Sequence, residues 1–353
     1  MISDTPITVC VISQGDDSRM LRQCLGCALA QEYDDYEVMV VLAAGENDNI
    51  SLLKRMEMEH LNLRHLVTPQ EARFIPYEQL SLSLGIMEAR YDWVALTQSD
   101  CTMPRNWLSA MSSGMNGGHS IVAGPADYSD SSFNRVWRQL TALAVAGRCG
   151  FLYRADGCNT ALRKSAFLQS GGFGSSVTLK HGALQIWANA HGGAAAVGSA
   201  DACVMQSRNK ANGYEAIQWL ESRRHLAHKW RYRLALLSDY LTHALAFTAF
   251  VSLMVTLYLF HSQINAFFDT RLANVFGVGT DCYVYAFASI SLLLYIAFAV
   301  IDTKRFNKKA RLYYGRAYGV SVCLMKLLFP ISWFSNLVDY LFMRRKKFFK
   351  TGL

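Results

Sequence analysis

Short apolar runs alternate with amphipathic stretches from residue 1 to about residue 232. ITVCVIS, EVMVVL, LRHLV and WVALTQ are β-rich runs. Between them lie SRMLRQCLGCALAQ, NISLLKRMEME and YEQLSLSLGIMEA, and PRNWLSAMSSGM follows, begun by Pro104. In the first of these, Met20, Leu21, Cys24, Leu25 and Ala28 fall at helical spacing. Continuous apolar strands alternating with amphipathic helices predict an α/β domain with a buried, mostly parallel sheet. Ligands of such sheets bind beyond the carboxyl ends of the strands. Three loops therefore matter most: SQGDD after the first strand, AAGENDN after the second and QSDCTMP after the fourth.

The pattern changes after residue 232, and residues 233–353 read as a membrane region. Residues 241–260 and 282–301 carry no formal charge, and each has about the length a spanning helix needs. Arg223, Arg224, Lys229, Arg231 and Arg233 precede the first run, and Lys304, Arg305, Lys308, Lys309 and Arg311 follow the second. By the positive-inside rule, the expectation is a multi-pass inner-membrane protein with residues 1–232 and the segment after Ile301 in the cytoplasm. A third apolar segment, about 317–343, is broken by Lys326, Pro330 and Asp339 and ends in RRKKFFK. It reads as interfacial or re-entrant helices, with Trp333 and Tyr340 at headgroup level.

Composition agrees with this division. The 353 residues are 52% hydrophobic and 18% charged, with a mean hydropathy of +0.11. The net charge of +8 is concentrated in basic runs beside the apolar segments. That placement points to a membrane face, and no nucleic-acid module accompanies it, so no nucleic-acid partner is expected. The nine cysteines form no even framework, and the Cys24–Cys27 pair lacks matching partners. They read as reduced thiols packed like small apolar residues. MISDTPITVCV shows no charged-then-apolar leader, so no signal peptide is expected.

PITVCVISQGDDSRMLRQCLGCALAQEYDDYEVMVV, TQSDCTMPRNWL, GCNTALRKSAFLQSGGF and WLESRRH stand in this order between Pro6 and about His225. In residue type and separation they resemble the bacterial, membrane-anchored family 2 glycosyltransferases. The resemblance implies the Rossmann-like A-type sheet that binds nucleotide sugars. It also implies transfer of a sugar from a nucleotide diphosphate donor to a glycan or lipid-linked acceptor, in cell-surface polysaccharide or glycolipid synthesis.

Such transfer needs a grip on the nucleotide, a counter-charge for the departing diphosphate and a base for the acceptor hydroxyl. The family commonly supplies carboxylates for all three, and this chain departs from that pattern. Leu42 and Ala43 stand where the second strand of relatives ends in acids, leaving Glu46 and Asp48 as substitutes. The Asp-x-Asp motif reads Gln98, Ser99, Asp100, so the resemblance places a divalent metal, magnesium or manganese, on Asp100 beside a donor-binding Gln98. Where relatives carry an acidic run with the base, this chain has LKHGALQIWAN, with Ala183, Leu184 and Gln185 at the acidic positions. His181 and Asp156 are the candidate bases by residue type. Arg223, Arg224 and His225 match the family's basic motif near the diphosphate. Gln79 and Met87 replace lysines of close relatives.

Three readings follow. The chain is an active transferase with a rearranged base, a catalytically silent relative that partners or scaffolds another glycosyltransferase, or a membrane-anchored nucleotide-binding module.

Overall fold

The computed structural model describes residues 5–13, 15, 17–69, 75, 77–129, 158–173, 183–191, 194–207, 248–249, 251–252, 254–255, 258, 278–315, 317–318 and 322. His181, Asp156, Arg223, Arg224 and His225 lie outside these residues, as do most of 241–260 and 317–343. The chain divides into two compact units, residues 1–229 with 309–316, and residues 230–308 with 317–353.

In the first unit the apolar runs become strands. β1 (Ile7–Ile12), β2 (Tyr36–Leu42), β3 (Leu63–Val67) and β4 (Trp93–Gln98) alternate with α1 (Ser18–Ala28), α2 (Asn47–Glu59) and α3 (Tyr77–Glu88). β1 and β4 are buried at every position, because helices cover both faces and no alternation with polar residues is needed. A two-residue β5 (Cys101–Thr102) precedes α4 (Trp107–Met115), and β6 (Ile121–Ala123) and β7 (Ala126–Tyr128) follow. Then come β8 (Thr160–Arg163), α5 (Lys164–Gln169), α6 (Ala183–Ala190), β9 (Ala195–Ala196) and β10 (Val204–Gln206).

Seven strands form one sheet in the order β3-β2-β1-β4-β8-β6-β9. Four of its six pairings are parallel, and β8 runs antiparallel to both neighbours. The mixed α/β architecture and mostly parallel sheet agree with the sequence pattern. A second sheet, β5-β10-β7, does not appear in that pattern, because its strands are two or three residues long and carry no readable period. The segment after β4, expected as a plain loop, enters this sheet through β5. The helix expected to begin at Pro104 starts at Trp107, whose amide donates to the Pro104 carbonyl at 3.1 Å.

The two sheet faces follow from strand alternation. Val9 and Val11 of β1 join a core with Leu21, Cys24 and Leu25 of α1 and Trp107 and Met111 of α4. Cys10 and Ile12 point the other way, toward α3. A side chain at Gly85 would collide with the Cys10 sulfur and lie 3.3 Å from Val41 Cγ2, so α3 sits this close only because residue 85 has no Cβ. Burial pushes the Cys10 thiol up to about 12, which keeps it neutral. Cys24, Cys101 and Cys158 are likewise buried.

One acid lies within the sheet. Glu37 of β2 accepts from Thr8 Oγ1 at 2.8 Å, the Arg90 amide at 2.8 Å and the Arg64 guanidinium at 3.0 and 3.2 Å. Burial works to raise its pKa, but these donors outweigh it and hold the carboxyl below its usual value.

The backbone of α7 (Val278–Tyr314), which belongs to the second unit as far as Lys308, contains the whole uncharged run 282–301. The side chains described in α7 begin at Ser289. From there Ile290, Leu292, Leu293, Leu294, Ile296, Val300 and Ile301 are exposed, whereas Tyr295 and Ala299 are buried. Beyond Asp302 the helix turns polar and basic. Among the described residues no helix is long and apolar enough to cross a membrane.

Candidate active site

In the parallel sheet Ile12 of β1 pairs with Val41 of β2 on one side and Gln98 of β4 on the other. The residues after these strands, Ser13, Ala43 to Glu46, and Ser99 to Asp100, therefore emerge at the same end of three adjacent strands. Backbone hydrogen bonds fix the three exits. The Ser13 amide donates to Val41 O at 2.9 Å, and the Ser99 amide donates to Ile12 O at 3.1 Å. This is the carboxyl edge where open α/β sheets bind ligands. A shallow cavity lined by Thr5, Asp92, Trp93, Asn116 and Arg163 opens at the opposite end of the strands and carries none of these residues.

After β1, Asp17 accepts from the Arg19 amide at 3.1 Å and caps α1. The Arg19 amide and side chain hold this exposed carboxyl below its usual pKa.

After β2, Glu46 folds back over the strand end. Its Oε1 accepts from the Ala43 amide at 2.8 Å, and its Oε2 accepts from Ser13 Oγ at 2.5 Å and Asn49 Nδ2 at 2.8 Å. Ser18 Oγ donates to Asn49 Oδ1 at 2.9 Å, and Tyr77 OH donates to Ser13 O at 3.1 Å. This network ties β1, α1, α2 and α3 around one half-buried carboxylate. Asp48, the other substitute acid, is exposed in the first turn of α2, where a negative charge suits the helix dipole. The geometry separates two residues that the sequence treats alike.

After β4, Gln98 and Asp100 are both buried, with Asp100 only 2% exposed. Gln206, at the end of β10, is buried beside them. Its Nε2 donates to Gln98 Oε1 at 3.1 Å and to Asp100 Oδ2 at 3.3 Å. The Cys101 thiol donates to Asp100 Oδ1 at 3.6 Å. Gln206 reaches this place because β10 pairs antiparallel with β5, setting Gln206 opposite Cys101. The sequence expectation put a divalent cation on Asp100 with Gln98 beside it. In the structure those two oxygens instead face one amide nitrogen, an ill fit for a hard cation, which favours carboxylate and other free oxygens.

Asn159 holds the small sheet in place. Its Nδ2 donates to Pro125 O at 2.6 Å and Ala202 O at 2.7 Å, and its Oδ1 accepts from Trp107 Nε1 at 2.9 Å. Pro125 leads into β7 and Ala202 into β10, so Asn159 links both approaches. A Cβ on Gly124 would lie 2.5 Å from Asn159 Nδ2, which explains the glycine there.

The stretch lacking acids is partly in α6. Ala183, Leu184, Trp187 and Ala188 are buried. Trp187 packs edge-on against Phe167 of α5 with ring centroids 5.3 Å apart, and its Nε1 donates to Ser170 Oγ at 2.8 Å. Leu184, at an expected acidic position, is therefore a core residue. Of the two lysine replacements, Gln79 is buried and Met87 is exposed. Ser13, Asn49, Tyr77, Asn159 and Gln206 are the site residues that reasoning from sequence missed. Asn159 lies inside the quoted GCNTALRKS motif, whereas Gln206 belongs to none.

With this geometry the comparisons with known proteins have a clear meaning. Residues 8–174 match the glycosyl transferase family 2 model. The match runs from β1 past α5 and takes in the three strand exits, but ends before Gln206. The fold is shared with a solved structure, the mannosyltransferase PcManGT from Pyrobaculum calidifontis in complex with GDP-Man and Mn2+. The TM-score is 0.52 at 15% identity, covering 96% of this chain and 87% of that one. No curated protein matches by sequence. The family match covers 167 of the 353 residues, and the likeness to the solved structure shows the fold.

Proposed function

We propose that the chain transfers a sugar from a nucleoside diphosphate sugar to a glycan or lipid-linked acceptor at a membrane, in cell-surface polysaccharide or glycolipid assembly. What carries the reading is the convergence of Glu46 and Asp100 at the carboxyl edge of a family 2-like sheet. Glu46, anchored by Ser13 and Asn49, takes the place of the nucleotide-contacting acid. Asp100 faces the donor. His181 or Asp156 takes the acceptor proton, and Arg223, Arg224 and His225 neutralise the diphosphate.

The test is calorimetric titration of the full chain in detergent with GDP and UDP. Glu46→Gln should weaken nucleotide binding roughly ten-fold, whereas exposed Asp48→Ala should leave it within about two-fold. Equal effects of the two substitutions would overturn this assignment of the loop.

A second reading is favoured by buried Leu184, which fills a position the family gives to an acid. Under it the chain keeps the donor fold and serves as a partner of an active transferase. Nucleotide binding without donor turnover would support that reading.

Attachment to the inner membrane is part of the proposal. Exposed Leu292, Leu293 and Leu294 are consecutive, so α7 presents a broad apolar face of about 200°, opposite buried Tyr295 and Ala299. The basic residues from Lys304 onward suit the cytoplasmic interface. A reporter fused after Leu353 should read cytoplasmic and one inserted near Asn265 should read external. The reverse pattern would defeat this topology.

A further inference from the structure

We propose that the Gln206 amide stands where relatives would hold a divalent cation, so that this donor site works without a metal. The inference rests on the donor-site reading given above. It starts from one nitrogen. Gln206 Nε2 faces Gln98 Oε1 at 3.1 Å and Asp100 Oδ2 at 3.3 Å, the two side chains that occupy the positions of an Asp-x-Asp pair. A carboxylate at neutral pH only accepts hydrogen bonds, so the end of Gln206 that meets Asp100 must be its NH2 group. That group has two hydrogens, and two acceptors use both.

The charges agree with this assignment. Two adjacent carboxylates repel each other and recruit a cation. Here one acid is an amide, and the remaining carboxylate is matched by a neutral donor that bridges the pair. Gln98, Asp100 and Gln206 are all buried, so a cation bridging Gln98 Oε1 and Asp100 Oδ2 would have to displace the Gln206 nitrogen and strand a buried amide. It would gain one carboxylate and one neutral amide oxygen, a poor set for magnesium or manganese. The exchange at residue 98 and the glutamine at residue 206 therefore form one change of chemistry. Bringing them together takes the β5–β10 pairing, across 108 positions of sequence.

The test has two arms on the full chain in detergent. In the first, GDP and UDP are titrated in EDTA and again in excess Mn2+. The wild type should bind with affinities equal within about two-fold, and a gain of ten-fold or more with Mn2+ would overturn the proposal. In the second, Mn2+ alone is followed by water-proton relaxation. The wild type should leave the ion free, whereas Gln98→Asp and Gln206→Glu, each of which makes a carboxylate pair, should bind it. Both variants should also melt at higher temperature with Mn2+ than without, as a ligand of the folded state requires. Mn2+ binding by the wild type, or its absence from whichever variants fold, would overturn the inference. If no nucleotide binds under any condition, the donor reading fails, and the Mn2+ arm still decides the role of Gln206.

Discussion

Asn159→Leu is expected to lower the stability of the full chain by about 2–5 kcal/mol. The reason is arithmetic over partners. The substitution strands the Trp107 indole N–H and the Ala202 carbonyl, and leaves the Pro125 carbonyl with the Val204 amide alone, in a place where Asn159 itself is 1% exposed. An unsatisfied buried group costs about 1–3 kcal/mol, and leucine supplies no replacement partner. For a domain of this size the melting temperature should fall by roughly 10 °C. Differential scanning calorimetry of wild type and variant reads this directly. A fall of less than about 2 °C would show that the three contacts contribute little. Because Asn159 spans the approaches to β7 and β10, the variant should also loosen Gln206 and weaken nucleotide binding beyond what its stability loss explains.

Asp100→Ala should reduce sugar transfer by about 100-fold or more. Asp100 is the one carboxylate directly beyond β4, the central strand of the seven. Its neighbours are a thiol and an amide, neither of which can replace a negative charge facing the donor. The stability cost should be smaller than that of Asn159→Leu, because alanine leaves one amide hydrogen and one weakly donating thiol without an acceptor, rather than an indole N–H and a backbone carbonyl. The measurement is donor consumption with a panel of nucleotide sugars in membranes that contain endogenous acceptors. Activity within about three-fold of wild type would remove Asp100 from the transfer machinery. A wild type that binds nucleotide yet turns over no donor would instead favour the silent partner.

The two outcomes separate the two roles of the small sheet. Asn159 fixes where β7 and β10 lie, and Asp100 uses what they bring. A change at Asn159 should act on stability first and on binding second, and a change at Asp100 the reverse.

The amino-acid sequence by itself determined the layered part of this protein. Unbroken apolar runs at β1, β2 and β4 can be buried only between helices, and the helical spacing in α1 can face only one way. The strand exits at Ser13, Glu46 and Asp100 follow from that pattern, because the edge that binds ligands is a property of the strand direction. The resemblance to the family added expected roles for particular residues, and it also made the missing acids visible. Tertiary structure decided the rest. It separated Glu46 from Asp48, which differ in sequence by two positions but in the fold by whether the side chain turns back over β2 or out to solvent. It placed Leu184 in a core, which depends on what α6 packs against and not on local residue type. It brought Gln206 to Gln98 and Asp100 through a pairing of two- and three-residue strands. Such strands have no period to read, and their energy comes from partners about a hundred positions away. The local pattern encodes burial and direction, whereas the identity of a distant partner is encoded only by the packing of the whole.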